Sequence, residues 1–164
     1  GSRGLGDVYK RQVLALSLFL HTVINRKCMS NNYLVILAGG VGSRFWPISS
    51  EELPKQFLDI LDCGRTLIQL TADRFRNIVP PENIWVVTSE MYAPLVKAQL
   101  PEVRPENILS EPCRRNTAPC ICYVSWKIKK RNPKANVVVA PSDHIVPDTL
   151  AFQDAVEDLS LIHI

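Results

Sequence analysis

Gly39, Gly40 and Gly42 stand directly behind the apolar run 33–37, with Arg44 two positions after the last glycine and Lys55-Gln56 a short distance downstream. A buried strand that ends in glycines lets backbone N–H groups approach a ligand with no Cβ in the way, which is a cradle for phosphate. Arg44 and Lys55 add the two fixed positive charges that a polyphosphate needs once water is excluded. Two familiar glycine loops do not fit. A Walker-type loop needs Gly-Lys before Ser or Thr, whereas Gly42 precedes Ser43-Arg44; a dinucleotide fingerprint from Gly40 needs a small residue where Phe45 stands.

The elements that must position these groups alternate along the chain. Residues 33–38 form a buried strand, 66–77 a helix carrying Leu67, Leu70, Phe75 and Ile78, and 84–88 a second strand. Residues 91–99 are a short helix entered from Thr88-Ser89, and 108–110 a short strand. Asn116 or Thr117 caps a helix with Pro119 in its first turn, which ends at 131 in a basic run that complements the dipole. Residues 136–140 are a third strong strand, running into Pro141-Ser142-Asp143-His144. Continuous apolar strands alternating with helices predict an α/β fold with a mostly parallel, Rossmann-like sheet covered on both faces. Ligands in such sheets sit at the carboxyl ends of the strands. Residues 39–44, 111–117 and Asp143 all follow strands at that edge, so three segments distant in sequence can meet at one site.

Ala38-Gly39-Gly40-Val41-Gly42-Ser43-Arg44-Phe45-Trp46-Pro47 with Pro54-Lys55-Gln56-Phe57 resembles the signature of the sugar-nucleotide pyrophosphorylases, G-G-x-G-x-R-[LF]-x-P followed by P-K-Q. Within that family it is most similar to the mannose-1-phosphate guanylyltransferase branch. Glu111-Pro112-Cys113-Arg114-Arg115-Asn116-Thr117-Ala118-Pro119 resembles the E-P-x-x-R-N-T-A-P run of the same branch, and Pro141-Ser142-Asp143-His144 its P-[AS]-D-H metal aspartate. The resemblance covers residues 34–158 and implies the nucleotide-diphospho-sugar transferase type of sheet, truncated, in which a guanylyl group passes from GTP to mannose 1-phosphate.

By that resemblance Leu37, Ala38, Gly39, Gly40 and Gly42 hold the nucleotide, together with Glu111, Arg115, Asn116 and Thr117 from the base loop. Guanine offers N1–H and its N2 amine side by side, and one carboxylate such as Glu111 can accept both. Uracil and thymine lack that donor pair. A helix-proximal acid satisfied by local amides is the plain alternative for Glu111, and Arg115 and Asn116 either face the ligand or order the loop. Arg44 and Lys55 are the catalytic cations, Arg44 steadying the leaving pyrophosphate and Lys55 gripping phosphate oxygens near the reacting centre. Asp143 is the metal ligand for Mg²⁺, although a lone acid after a strand can also cap the next turn. The family uses a second aspartate later in the chain.

The ends read differently. Residues 7–12 and 159–164 can be encoded by one DNA word and its reverse complement in the same phase, which resembles a sequencing adapter in opposite orientations. Residues 1–28 are therefore expected to be adapter-like sequence plus upstream read-through, 29–158 the N-terminal part of a nucleotidyltransferase domain, and 159–164 an adapter-like tail. Lys10-Arg11 ahead of the apolar run 13–20 imitates a secretory signal, but no small-x-small cleavage site follows and the run is too short to span a bilayer.

Between 29 and 158, 14 Lys and Arg against 15 Asp and Glu leave a net charge of −1. That balance argues for neither nucleic acid nor an anionic membrane as partner. Cys28, Cys63, Cys113, Cys120 and Cys122 match no zinc knuckle or disulfide framework and read as reduced, mostly buried thiols of a cytoplasmic protein. The implied partners are GTP and mannose 1-phosphate, with a homo-oligomer open to the full-length protein. Another sugar-1-phosphate nucleotidyltransferase, or a non-catalytic nucleotide-sugar-binding module on the same fold, are the alternatives.

Overall fold

The computed structural model describes residues 30–40, 47–111 and 117–162, the last three through their backbone alone. Four strands, β1 (Asn32–Ala38), β2 (Ile84–Ser89), β3 (Ile108–Glu111) and β4 (Asn136–Pro141), form one sheet in the order β3-β2-β1-β4. Every pairing is parallel: Leu37 stands opposite Val87 and Pro141, and Ser89 opposite Glu111. Among the described residues α1 (Leu67–Arg74), α2 (Ala93–Gln99) and α3 (Thr117–Arg131) lie in turn between successive strands, and α4 (Thr149–Ile162) follows β4.

Strand alternation sorts the core into two layers. Leu34, Ile36, Ala38, Ile84 and Val86 face α1, α2 and α4 and pack with Ile68, Phe75, Val96 and Leu100. Tyr33, Val35, Trp85, Val87 and Leu109 face α3, against Cys120, Val124 and Ile128. β1 is buried on both sides because helices cover both faces, as its uninterrupted apolar run requires.

The helix starts follow local chemistry. Thr66 and Gln69 form a reciprocal capping box on α1, with Gln69 Oε1 accepting the Thr66 N–H at 3.0 Å. Asp148 caps α4 by accepting the Ala151 N–H at 2.9 Å. The 91–99 helix is in fact a 3₁₀ turn, Glu90–Tyr92, followed by α2, and Glu111 closes β3 rather than opening a loop.

A device at the amino ends of the strands occurs twice. Pro81-Glu82-Asn83 and Pro105-Glu106-Asn107 each form a 3₁₀ turn leading into a strand. The Asn83 amide donates to the carbonyls of Ser30 and Asn32, both at 3.0 Å, and the Asn107 amide to those of Glu82 and Ile84 at 3.0 and 3.1 Å. Each asparagine thus ties its strand to the start of the neighbouring one. Among the described cysteines only Cys120 is buried, whereas Cys63 and Cys122 are exposed, which corrects the expectation of mostly buried thiols. Cys122 differs because two helical positions turn it away from the sheet face that Cys120 joins.

Candidate functional site

The carboxyl ends of β1 and β3, with the start of α3, enclose a cavity of about 240 Å³ lined by Leu37, Gly39, Gly40, Val87, Glu111, Thr117 and Cys120. Five of the sequence-derived binding residues, Leu37, Gly39, Gly40, Glu111 and Thr117, therefore open onto one space. Ala38 is fully buried behind them, its carbonyl accepting from Thr88 Oγ1 at 3.0 Å.

Gly39 and Gly40 have no left-handed backbone. Among the described residues only Gly64 and Asp62 have positive φ, at 76° and 51°. A Cβ on Gly39 would stand 3.9 Å from Glu111 Oε2, an ordinary contact, and one on Gly40 would meet nothing within 4 Å among the described residues. Among the described residues neither a positive φ nor a close contact demands glycine at either position, and the space that their side chains would fill lies on the open side.

Glu111 is held by a neighbour in the cavity wall. Cys120, the fourth residue of α3 and 8% exposed, donates its thiol to Glu111 Oε1. Burial, that hydrogen bond and the carboxylate charge together push the Cys120 thiol up to about 12. Cys120 therefore stays protonated and acts as a donor, not as a nucleophile.

Asp143 and Lys55 meet beside the cavity rather than in its lining. Lys55 lies in the 3₁₀ turn Lys55–Phe57, and its Nζ stands 2.7 Å from Asp143 Oδ2, with the two side chains 23% and 32% exposed. The Ser142 N–H donates to the Leu37 carbonyl at 3.2 Å, carrying the segment after β4 against the end of β1. Asp143 thus emerges at the same edge of the sheet as the glycines, as parallel neighbouring strands require. Gly42 and Arg44, with the rest of 41–46, and Arg115 and Asn116, within 112–116, lie outside the described residues.

Two supporting residues were not singled out from the sequence. Gln56, 2% exposed, donates its amide to the carbonyls of Gly40 at 2.8 Å and Ala38 at 3.3 Å, clamping the glycine segment to the turn that carries Lys55. Its place in the Lys55-Gln56 pair was the available signal. Arg74, also buried, donates to the His144 carbonyl at 2.7 Å and lies over the Phe152 ring at 5.4 Å, so α1 and α4 brace the residue next to Asp143. Burial lowers the pKa of its guanidinium from a very high ordinary value, which leaves it charged. No pattern around Arg74 distinguished it from a surface helix residue.

Asp143 suits a hard divalent ion in donor type, because such ions take carboxylate oxygen and complete their shell with phosphate and water. Among the described residues no group of three or more His, Cys, Asp and Glu side chains forms a metal cage. Among them, too, no helix is long and apolar enough to cross a membrane.

The family model described as nucleotidyl transferase matches residues 33–160. The chain is 39% identical over 132 residues to mannose-1-phosphate guanylyltransferase 2 of Escherichia coli O157:H7, covering 78% of this chain and 27% of that protein. It is 38% identical over 133 residues to mannose-1-phosphate guanylyltransferase of E. coli K12, with 79% and 27% covered. The chain thus spans about a quarter of the length of these curated relatives. Among solved structures, one described as mannose-1-phosphate geranyltransferase from Thermus thermophilus superposes with a TM-score of 0.70 at 30% identity, over 78% of this chain and 37% of that one.

Proposed function

Because the chain belongs to the nucleotidyl transferase family, we propose that it supplies the nucleotide-holding part of an enzyme that moves a guanylyl group from GTP to mannose 1-phosphate. A phosphate oxygen of the sugar phosphate attacks the α-phosphorus in line, the bond from that phosphorus to the β-phosphate bridging oxygen breaks, and pyrophosphate leaves as GDP-mannose forms. Positioning and charge stabilisation are the protein's main tasks in such a transfer.

One observation carries this reading: Gly39, directly after β1, and Glu111, the last residue of β3, share one cavity at the carboxyl edge of the sheet. The backbone of Gly39 and Gly40 takes the phosphate side with Gly42, and Glu111 takes the base edge of guanine with Arg115, Asn116 and Thr117. Leu37 and Ala38 support the floor. Arg44 neutralises the departing pyrophosphate and Lys55 the reacting phosphate. Asp143 would hold Mg²⁺, which supplies Lewis-acid relief of charge on the α-phosphate. All of these groups fall within residues 29–158, read as the N-terminal part of a nucleotidyltransferase domain, with 1–28 read as adapter-like sequence plus upstream read-through and 159–164 as an adapter-like tail.

The test is nucleotide competition on the complete open reading frame that carries these residues, with mannose 1-phosphate as acceptor. GTP should be preferred over UTP and dTTP. A preference for either pyrimidine nucleotide would move the protein to another sugar-1-phosphate nucleotidyltransferase class, and nucleotide binding without turnover would make it a binding module.

A further inference from the structure

We infer that Cys120 is a positioning residue for nucleobase recognition, fixing the carboxylate of Glu111 by a thiol hydrogen bond from the cavity wall. The inference rests on the proposed reading of Glu111 as the guanine-facing acid, and it goes beyond that reading by assigning a task to a residue that the reading does not use.

The argument starts from what a glutamate at the end of a strand lacks. Its terminal torsion is broad and roughly two-fold, so a free carboxylate presents its oxygens over a wide range of angles. Recognition of two adjacent N–H donors requires both oxygens in the plane of the base, and a carboxylate left to rotate meets that condition only part of the time. Glu111 is the last residue of β3 and no other side chain is recorded donating to it among the described residues. Cys120 removes the freedom. Its thiol holds Oε1, while Oε2 remains on the side of Gly39 that opens to the cavity. Each carboxylate oxygen has two lone-pair sites, so the thiol consumes one of about four and leaves enough for two base donors.

The backbone makes the pairing rigid from both ends. Glu111 is in register with Ser89 on β2, and Cys120 sits on the buried face of α3 with Val124 and Ile128. Relative movement of donor and acceptor would require α3 to slide on the sheet. The thiol also suits the position chemically: burial beside a carboxylate keeps it protonated, so it cannot reverse its role and repel the acid by ionising.

The experiment uses the complete open reading frame with every cysteine other than Cys120 replaced by Ser, so that one thiol reports. The infrared S–H stretch of Cys120 should be shifted to lower frequency and should return toward the unbonded position in Glu111→Ala. In parallel, discrimination between GTP and ITP, which lacks the N2 amine, is measured for Cys120→Ala and Cys120→Ser. Cys120→Ala should reduce it by about 5- to 10-fold, the scale of one ordinary net hydrogen bond, as suits a weak thiol donor, with the loss in KM for GTP more than in kcat. Cys120→Ser keeps a donor and should restore most of it. An unshifted S–H band, or intact discrimination in Cys120→Ala when Glu111→Ala has lost it, overturns the inference. Intact discrimination in Glu111→Ala itself overturns the base-reading role of Glu111, and the positioning role of Cys120 falls with it.

Discussion

Lys55 Nζ and Asp143 Oδ2 stand 2.7 Å apart although 88 positions separate them in the chain, and each belongs to a segment that a different strand delivers to the same edge of the sheet. Both side chains are partly exposed, so the attraction is screened and adds only about 0–1 kcal/mol to folding. Its significance is spatial: the cation assigned to phosphate and the anion assigned to metal occupy one place.

Asp143→Asn should therefore leave the urea unfolding free energy within about 1 kcal/mol of the parent, while Lys55→Ala and Asp143→Asn should each lower kcat/KM for GDP-mannose formation by about 10²-fold or more. Arg44→Ala should do the same. Unchanged turnover in any of the three removes that residue from the reaction, and a large loss of stability in Asp143→Asn would make the pair structural.

Gln56 holds two carbonyls of the glycine segment from a buried position. Gln56→Ala should cost about 1–3 kcal/mol by leaving acceptors unmatched, and should speed hydrogen exchange at the amides of Gly39 and Gly40. Stability equal to the parent with unchanged exchange would show that the glycine segment is held by other means.

Arg74→Met keeps an apolar stem against Phe152 and deletes the donor to the His144 carbonyl. Its expected cost is again about 1–3 kcal/mol, read from urea unfolding. Mn²⁺ affinity, followed by electron paramagnetic resonance, should fall with it, because the backbone beside Asp143 loses its brace. A stability loss with unchanged Mn²⁺ affinity would separate Arg74 from the metal site.

Asp59 accepts the N–H groups of Cys63 at 3.1 Å and Gly64 at 2.6 Å, and these bonds, Cys63 first, hold its carboxyl below the usual carboxylate range. A depressed folded-state pKa contributes stability that is complete above the unfolded value of about 4 and fades as pH falls through the folded value. Amide exchange at Cys63 and Gly64, corrected for intrinsic rates, should stay protected at neutral pH and lose protection only in that acid range. Asp59→Asn should weaken the acid dependence, and a pH-independent profile in the parent would contradict the assignment.

The sequence made β1 and β2 legible because both-face burial leaves unbroken β-branched and apolar runs, β4 because its valine run 137–139 persists although this edge strand is only half-buried, and α3 because a Thr start, an early Pro and a basic end frame it. α4 was not read, although Asp148 and the apolar pair Phe152 and Val156 mark it. Leu150 and Leu159 point outward on the same helix and blur its stripe. The glycine and acid positions were legible as motif letters, and Leu37, Gly39, Gly40, Glu111 and Thr117 do share a cavity. The supports behind them were not. Gln56, Arg74 and Cys120 act through tertiary hydrogen bonds to partners that sequence spacing does not reveal.

The paired Pro-Glu-Asn turns give the two rims of the sheet different freedoms. Because Asn83 and Asn107 lock adjacent strands at their amino ends, alignment is settled on the rim away from the cavity. Insertions or substitutions in the loops of the opposite rim can then change what is bound without sliding one strand along another. A new specificity in this lineage would be written on one rim and proofread by the other.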